Sequence, residues 1–227
     1  MNELALFAGI GAGILGTSSL GLRTVCAVEL DWHRRCVLTR RQNDGSLGAV
    51  FPVWDDICTF DGRAWRGRCD FVSGGFPCQA FSTAARGRNI QAKNLWPEMF
   101  RVITESGPDY VFAENVSSNA IERAAKDCAS LGYKAEMLSL SAADLGADHV
   151  RERYWLLAYA NDKSKLLRTI NAKVAECEGI QEGFWSAKPA YSRVDDGASG
   201  RMERYEATGN AQVPIVAAAA LWSLANA

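Results

Sequence analysis

What the chain lacks narrows its class first. No apolar run among the 227 residues approaches the ~18–20 positions that a membrane-spanning helix requires, so no membrane role is expected. Residues 1–13 carry no basic cluster ahead of their apolar positions, so the sequence predicts no secretory leader. Histidine is nearly missing. His33 and His149 are the only two and share no ligand spacing with other donors, which argues against zinc. The 7 cysteines are odd in number and form no C-x-x-C pair, so they read as reduced thiols in a cytoplasmic protein. There is no surplus of charge either. With 25 Lys+Arg against 26 Asp+Glu the net charge is −1, and any contact with nucleic acid must come from local arginine clusters.

What is present is a chain long enough to bury one core with a small appendage, in which short apolar runs alternate with helical patterns. That order is the signature of a parallel α/β sheet. Leu4 to Phe7 reads as a short buried strand, followed by Gly9-Ile10-Gly11-Ala12-Gly13 and a helix to about Leu20. Strand, glycine turn and helix make a nucleotide-binding layout, because glycines admit a ligand close to the backbone and a helix N-terminus favours electronegative groups. The next strand, Thr24 to Val28, ends in Glu29, placed either to hold ribose hydroxyls or as a solvated strand-end charge. Trp32 opens the following helix and either stacks on an adenine or packs. Val50 to Trp54 reads as a third strand ending at Asp55-Asp56-Ile57, where a carboxylate could accept from an exocyclic amine.

Cys69 to Val72 predicts a fourth, buried strand that runs into Ser73-Gly74-Gly75-Phe76-Pro77-Cys78-Gln79. Two glycines let the chain turn, and Pro77 fixes the backbone just before a thiol. Cys78 is then either a nucleophile at a strand end or a small buried apolar residue. Thr83 to Lys93 is small, polar and basic, fit for phosphate contact or for an ordinary solvated loop. A helix is predicted over Leu95–Glu105, a fifth strand over Tyr110–Ala113 ending at Glu114-Asn115-Val116, and a helix over 118–131. Glu114, directly after an apolar strand, is a candidate acid. Tyr133–Leu140 and Arg153–Tyr159 fit two last strands. Residues 161–182 are polar and show no clear core pattern. Pro214 at a helix start and the alanine-rich run Ile215–Asn226 predict a buried terminal helix.

In this order the motifs resemble those of the DNA (cytosine-5) methyltransferase family, particularly its short phage and bacterial members. Phe7-Ala8-Gly9-Ile10-Gly11-Ala12-Gly13 is similar to the family's cofactor loop, Gly75-Phe76-Pro77-Cys78-Gln79 to its nucleophile motif and Glu114-Asn115-Val116 to its acid motif. His149-x-Arg151-x-Arg153 is similar to its paired-arginine motif, and Gly209-Asn210-Ala211-Gln212-Val213-Pro214 to its C-terminal motif. The resemblance implies a Rossmann-like S-adenosylmethionine-dependent methyltransferase fold, a mostly parallel seven-stranded sheet with helices on both faces. Residues 1–160 would be the catalytic and cofactor-binding domain, 161–206 a reduced target-recognition or linker segment, and 207–227 a C-terminal helix packing back.

It also implies transfer of a methyl group from S-adenosylmethionine to C5 of a flipped-out cytosine in DNA, with Cys78 adding at C6. Glu114, Arg153, Arg151 and Gln79 would complete the catalytic set. Phe7, Ala8, Gly9, Ile10 and Gly11 would line the methionine side of the cofactor. Glu29 would hold the ribose, Leu30 and Trp32 would meet the adenine face, and Asp56 with Ile57 its edge. Pro77, Leu95 and Asn210 match further pocket positions. Ser82, Arg86, Arg88 and Lys93 would contact DNA, joined by Lys163, Lys165, Arg168 and Lys173 on phosphates. A monomer is expected, with a partner for target recognition left open.

The sequence departs from the family pattern in three places. Ala5 stands where an acidic residue precedes Leu-Phe, His149 replaces a glutamine, and only about fifty residues separate the arginine motif from the C-terminal motif. That short span predicts slight sequence selectivity, a site of two to four base pairs. Two other readings remain at this level: a tRNA cytosine-5 methyltransferase, and a catalytically weak DNA-binding remnant.

Overall fold

The computed structural model describes residues 1–77, 94–176 and 212–227. Seven strands form one sheet in the order β3-β2-β1-β4-β5-β7-β6. The strands are β1 (Asn2–Leu6), β2 (Arg23–Val28), β3 (Val53–Trp54), β4 (Phe71–Gly75), β5 (Tyr110–Asn115), β6 (Lys134–Ser141) and β7 (Glu152–Tyr159). The pairings of β1 with β2 and β4, of β2 with β3 and of β4 with β5 are parallel, whereas β7 runs antiparallel to both neighbours. Crossovers between the parallel strands are made by α1 (Ala12–Ser19), α2 (Trp32–Asn43), α3 (Trp96–Ser106) and α4 (Ser118–Ser130). Two more helices follow the sheet, α5 (Ser164–Glu176) and α6 (Pro214–Asn226). This is the mostly parallel seven-stranded methyltransferase architecture that the motif order implied.

The two-residue alternation of strand side chains sorts the core into layers. On one face Leu4, Leu6, Cys26, Val28, Val72, Val111, Ala113, Leu156 and Ala158 pack against Trp96, Met99, Val102 and Ile103 of α3 and Ile121, Ala124 and Cys128 of α4. On the other, Phe71, Tyr110, Phe112, Trp155 and Leu157 meet Leu166 and Ile170 of α5 and Val216, Ala217, Ala220, Leu221 and Leu224 of α6. Ala5 and Ala27 carry that second face on to Ile14 of α1 and Leu38 of α2. The central strands are apolar toward both faces, as a covered parallel sheet demands.

Several expectations are corrected. The fourth strand runs over Phe71–Gly75 rather than Cys69–Val72, so Gly74 and Gly75 are paired with β5 instead of turning the chain. The third strand is two residues long rather than five: Val50 is 81% exposed, so its apolarity is not spent on the sheet. β1 stops at Leu6, because Phe7 takes a left-handed backbone (φ 53°) that no strand can continue. The polar stretch after Ala160 does hold a core element. α5 buries Leu166 and Ile170 completely, and two apolar residues one turn apart suffice to seat a helix whose remaining positions are solvated. Two lysines expected on phosphates are also committed within the protein: Lys163 to Glu136 at 2.9 Å, and Lys165 to Asp70 at 2.6 Å and Asp109 at 2.8 Å. No helix among the described residues is long and apolar enough to cross a membrane.

Candidate active site

The site is assembled at the carboxyl ends of the parallel strands, where a doubly wound sheet places its ligands. The turn after β1 is shaped by left-handed backbone at Phe7, Gly9 (φ 57°) and Gly11 (φ 85°). Gly11 caps α1 without any side-chain hydrogen bond, and no acidic residue sits in the first turn, so the backbone N–H groups there keep their donor capacity. Ile10 is fixed by its carbonyl, which accepts from Arg41 Nη1 at 2.6 Å.

Glu29, 5% exposed at the end of β2, reaches back across this turn. Its Oε2 accepts from Gly9 N at 2.7 Å and its Oε1 from Asp31 N at 2.9 Å, with Arg34 Nη1 at 3.9 Å. Each oxygen still has a lone pair for a hydroxyl of a ligand. Around it stand large apolar side chains that the fold leaves uncovered: Leu30 at 66% and Trp32 at 73% exposure. Trp32 carries the Arg35 guanidinium 5.7 Å from its ring centre and borders a groove along the outer side of α2, with Cys36, Thr39, Arg40, Asn43 and Val53. Asp56 caps a short 3-10 turn, Ile57–Thr59, by accepting from Cys58 N at 2.9 Å.

That turn is tied down by a residue the sequence did not flag. Arg101 of α3 donates to the carbonyls of Ile57 at 2.6 Å and Phe60 at 2.9 Å while it pairs with Glu98 and Glu105. An exposed apolar surface at Leu30 and Trp32 beside a polar turn, a buried carboxylate with spare lone pairs and a helix start without a side-chain cap fit an adenosyl cofactor.

At the centre of the sheet, β4 and β5 end side by side, with Gly75 opposite Glu114 in the register. Glu114 is buried. Its Oε1 accepts from Arg153 Nε on the neighbouring β7 at 2.9 Å, and its Oε2 accepts from Gln212 Nε2 at 3.4 Å. Burial pushes the Glu114 carboxyl up from its ordinary range, and Arg153, Gln212 and Arg151 offset part of that. The half-buried Arg151 guanidinium is held below its usual range by burial and by Arg153 beside it. Its backbone N–H donates to Ser141 Oγ at 3.1 Å.

Asn115, next in the chain, donates from Nδ2 to the carbonyl of Phe76 at 2.8 Å and accepts from Ser117 N at 3.0 Å. It therefore clamps the end of β4 to the start of α4. Pro77 accepts from Leu95 N at 3.2 Å, and Phe76 packs on Trp96 with ring centres 5.0 Å apart. Cys78, Gln79, Ser82, Arg86, Arg88, Lys93 and Asn210 lie outside the described residues.

A narrow cleft of about 60 Å³ joins the two halves. Phe7, Ala8, Gly9, Ile10 and Gly13 line it together with Ser73, Gly75, Glu114 and Gln212. Thr17 and Ser73 also line it, and both donate to Glu3, at 2.9 and 2.7 Å, as does Thr24 at 2.7 Å. Glu3 is fully buried, so a carboxylate does lie under the turn, two residues before Ala5 on the same side of β1. The sequence did not single out Glu3, Asn115, Arg101 or Gln212. Gln212 was visible only as part of its motif, in which Asn210 drew the cofactor role.

The comparisons agree with this layout. The model of the C-5 cytosine-specific DNA methylase family matches residues 1–212. The type II methyltransferase M.Eco47II of Escherichia coli is 31% identical over 70% of this chain and 39% of its own length. M.HhaI of Haemophilus parahaemolyticus is 27% identical over 71% of this chain and 50% of its own. Among solved structures, the Dnmt2 methyltransferase of S. pombe superposes with a TM-score of 0.57 at 20% identity, over 71% of this chain and 50% of that one, a likeness of fold. The chain spans about half the length of the curated relatives it matches. With the motifs in order, the sheet topology and a family match across nearly the whole sequence, the chain belongs to the C-5 cytosine-specific DNA methylase family.

Proposed function

We propose that this chain methylates C5 of cytosine in DNA, with S-adenosylmethionine as the methyl donor. The observation that carries the reading is the single cleft in which the Phe7–Gly13 turn and Glu114 are both wall residues. A seat for a methyl donor and a buried carboxyl bracketed by arginine open onto the same space. S-adenosylmethionine, when bound, supplies an electrophilic methyl group. Phe7, Ala8, Gly9, Ile10 and Gly11 would hold its methionine end and Glu29 its ribose. Leu30, Trp32, Asp56 and Ile57 would take its adenine, with Pro77, Leu95 and Asn210 completing the pocket.

C5 of cytosine is a weak nucleophile, and the protein's task is to make it a stronger one. The Cys78 thiolate adds to C6, so that the ring becomes an enamine with electron density at C5. Glu114 holds its proton more tightly than a solvent-exposed glutamate, and can donate it to N3 as negative charge develops there. Arg153 keeps that carboxyl aimed and presents a guanidinium toward the O2 side of the base, with Arg151 adjacent. After C5 is methylated, its proton passes to solvent, the thiolate departs from C6 and the N3 proton returns to Glu114, which together restore the aromatic ring and the enzyme. Stacking covers the ring faces that the thiolate and the methyl donor must approach, and pairing occupies N3, so the target base is flipped out. Gln79, Ser82, Arg86, Arg88 and Lys93 are assigned to the DNA side, and the part of 161–206 that follows the core helix α5 to target recognition.

The experiment is transfer of tritiated methyl groups from labelled cofactor to duplex DNA and, in parallel, to tRNA, with the base identified by digestion. Label in DNA as 5-methylcytosine supports the reading. Label only in tRNA moves the substrate, and label in neither refutes the assignment.

A further inference from the structure

We infer that Gln212 is a positioning residue for Glu114, and that Gly13 and Gly75 are glycine in order to admit its side chain. The inference rests on the function proposed above and adds to it a residue from the C-terminal segment. Gln212 stands two residues before α6. That helix is seated on α1 so closely that a Cβ on Gly16 would lie 2.6 Å from the Pro214 carbonyl oxygen. The close seat carries Gln212 to the cleft, where its amide lies between two backbones. A Cβ on Gly13 would lie 2.4 Å from Gln212 Oε1, and one on Gly75 would lie 2.6 Å from Glu114 Oε2 and 3.1 Å from Gln212 Nε2.

Neither glycine is needed for its backbone angle: both are outside the left-handed region that accounts for Gly9 and Gly11. What the two share is space. Side chains on either would fill the volume that the amide and the carboxyl occupy together. The chemistry suits an amide in particular. A group that gains and loses a proton needs a neighbour able both to donate and to accept. By turning its amide, glutamine donates to the carboxylate or accepts from the protonated carboxyl. Arg153, on the other oxygen, can only donate.

The test compares Gln212→Leu, which keeps the bulk and removes the amide, with the unaltered chain. The substitution is expected to lower methyl transfer at saturating cofactor by ~10–100-fold, the range for a hydrogen bond to an ionisable group. S-adenosylhomocysteine, used as the binding probe in calorimetry, is expected to bind as before. Loss of a donor to the carboxylate also moves the Glu114 titration, followed by carbon NMR, to higher pH. Arg153 on β7 and Arg151 just before it are the charged groups that face Glu114 among the described residues, and both remain.

Gly13→Ala, which forces the amide aside, is expected to reproduce the kinetic loss and to lower the melting temperature. Gly13→Ala combined with Gln212→Ala should melt higher than the sum of the two single changes allows. If Gln212→Leu does not fold, Gln212→Met carries the same measurements. An unchanged Glu114 titration, or a loss confined to S-adenosylhomocysteine binding, overturns the inference. Failure of the unaltered chain to methylate any cytosine would instead sink the proposed function, and the NMR and melting results would still judge Gln212.

Discussion

Glu29 and Glu114 stand at the carboxyl ends of β2 and β5, two strands of one sheet with β1 and β4 between them; both are buried, and they are held in opposite ways. Glu29 accepts from two backbone amides, Gly9 N and Asp31 N, whose positions are set by the turns that contain them. Among the described residues Glu114 is met by side chains only, Arg153 from β7 and Gln212 from the C-terminal segment. Backbone donors hold a carboxylate rigidly, as would suit a group that binds a ligand. Side-chain donors, one charged and one neutral, tune how tightly a carboxyl keeps its proton. The proposed function assigns the first arrangement to binding and the second to chemistry.

The sharpest way to break that division is to separate binding from turnover. Cys78→Ala should abolish methyl transfer, a loss of several orders of magnitude, while cofactor affinity stays within a few-fold. DNA carrying 5-fluorocytosine at the target cannot lose a proton from C5 and should remain covalently attached to the unaltered protein on denaturing gels. Glu114→Gln keeps the shape and removes the transferable proton; a loss of about 10²–10⁴ in turnover is expected. Near-normal turnover in either variant would dissolve the distinction.

On the binding side, Glu29→Gln should weaken S-adenosylmethionine by about 10–100-fold, the worth of a hydrogen bond to a charged group, with turnover at saturation little changed. Titration calorimetry beside initial rates decides it. A fall in saturated turnover without a change in affinity would mean that Glu29 acts on the reaction.

The legibility of the site follows the same division. The glycine turn after β1 was readable as a turn, its Gly9 and Gly11 being required by backbone angle, and the strand-end carboxylates because an acidic residue after an apolar run is conspicuous. The fold was readable from the alternation of strands and helices, down to the terminal helix. Contacts that join distant parts of the chain were not. Arg101 looks like any helix arginine until Ile57 and Phe60 are brought to it by the sheet. Asn115 reaches Phe76 across 39 positions and Gln212 reaches Glu114 across 98. α5 was missed because Leu166 and Ile170 are two buried positions in an otherwise polar stretch. Val50 misled in the other direction, an apolar residue that the structure leaves in solvent.

Arg101 gives a smaller effect that ties the binding half to its scaffold. Arg101→Met retains much of the stem packing and strips the donors from two carbonyls and two carboxylates. A loss of about 1–3 kcal/mol in stability is expected, chiefly from the Phe60 carbonyl, since that of Ile57 still accepts from Phe60 N at 3.2 Å. Cofactor affinity should fall with it, because the Asp56–Ile57 turn loses its anchor. Thermal melts with and without S-adenosylhomocysteine measure both, and a variant that melts lower yet binds unchanged would detach this turn from the adenine site.

The mildest test concerns Glu3, which lies below the cleft and serves neither half directly. Its carboxyl is fully buried, and burial pushes it up, against the pull of Ser73, Thr24 and Thr17. A carboxyl whose native-state pKa lies above its unfolded value stabilises the fold most when protonated. That contribution is present below the unfolded glutamate range, near pH 4.3, and is lost as pH rises through the native value. Glu3→Gln cannot lose a proton, so its stability should lack this slope. Its amide oxygen can still accept from hydroxyls, and a hydroxyl that rotates can accept from its nitrogen. At low pH the variant should therefore be the less stable, by about the net worth of one hydrogen bond, ~1 kcal/mol. As pH is raised through the native titration of Glu3 the gap should close or invert. Taking the difference between the two proteins at each pH cancels every other titrating group. Melting curves at about pH 5 and about pH 8, both above the unfolded glutamate range of about 4.3, read that difference. A constant offset at both values would mean that Glu3 is ionised in the native protein throughout, held by its three hydroxyls strongly enough to outweigh burial.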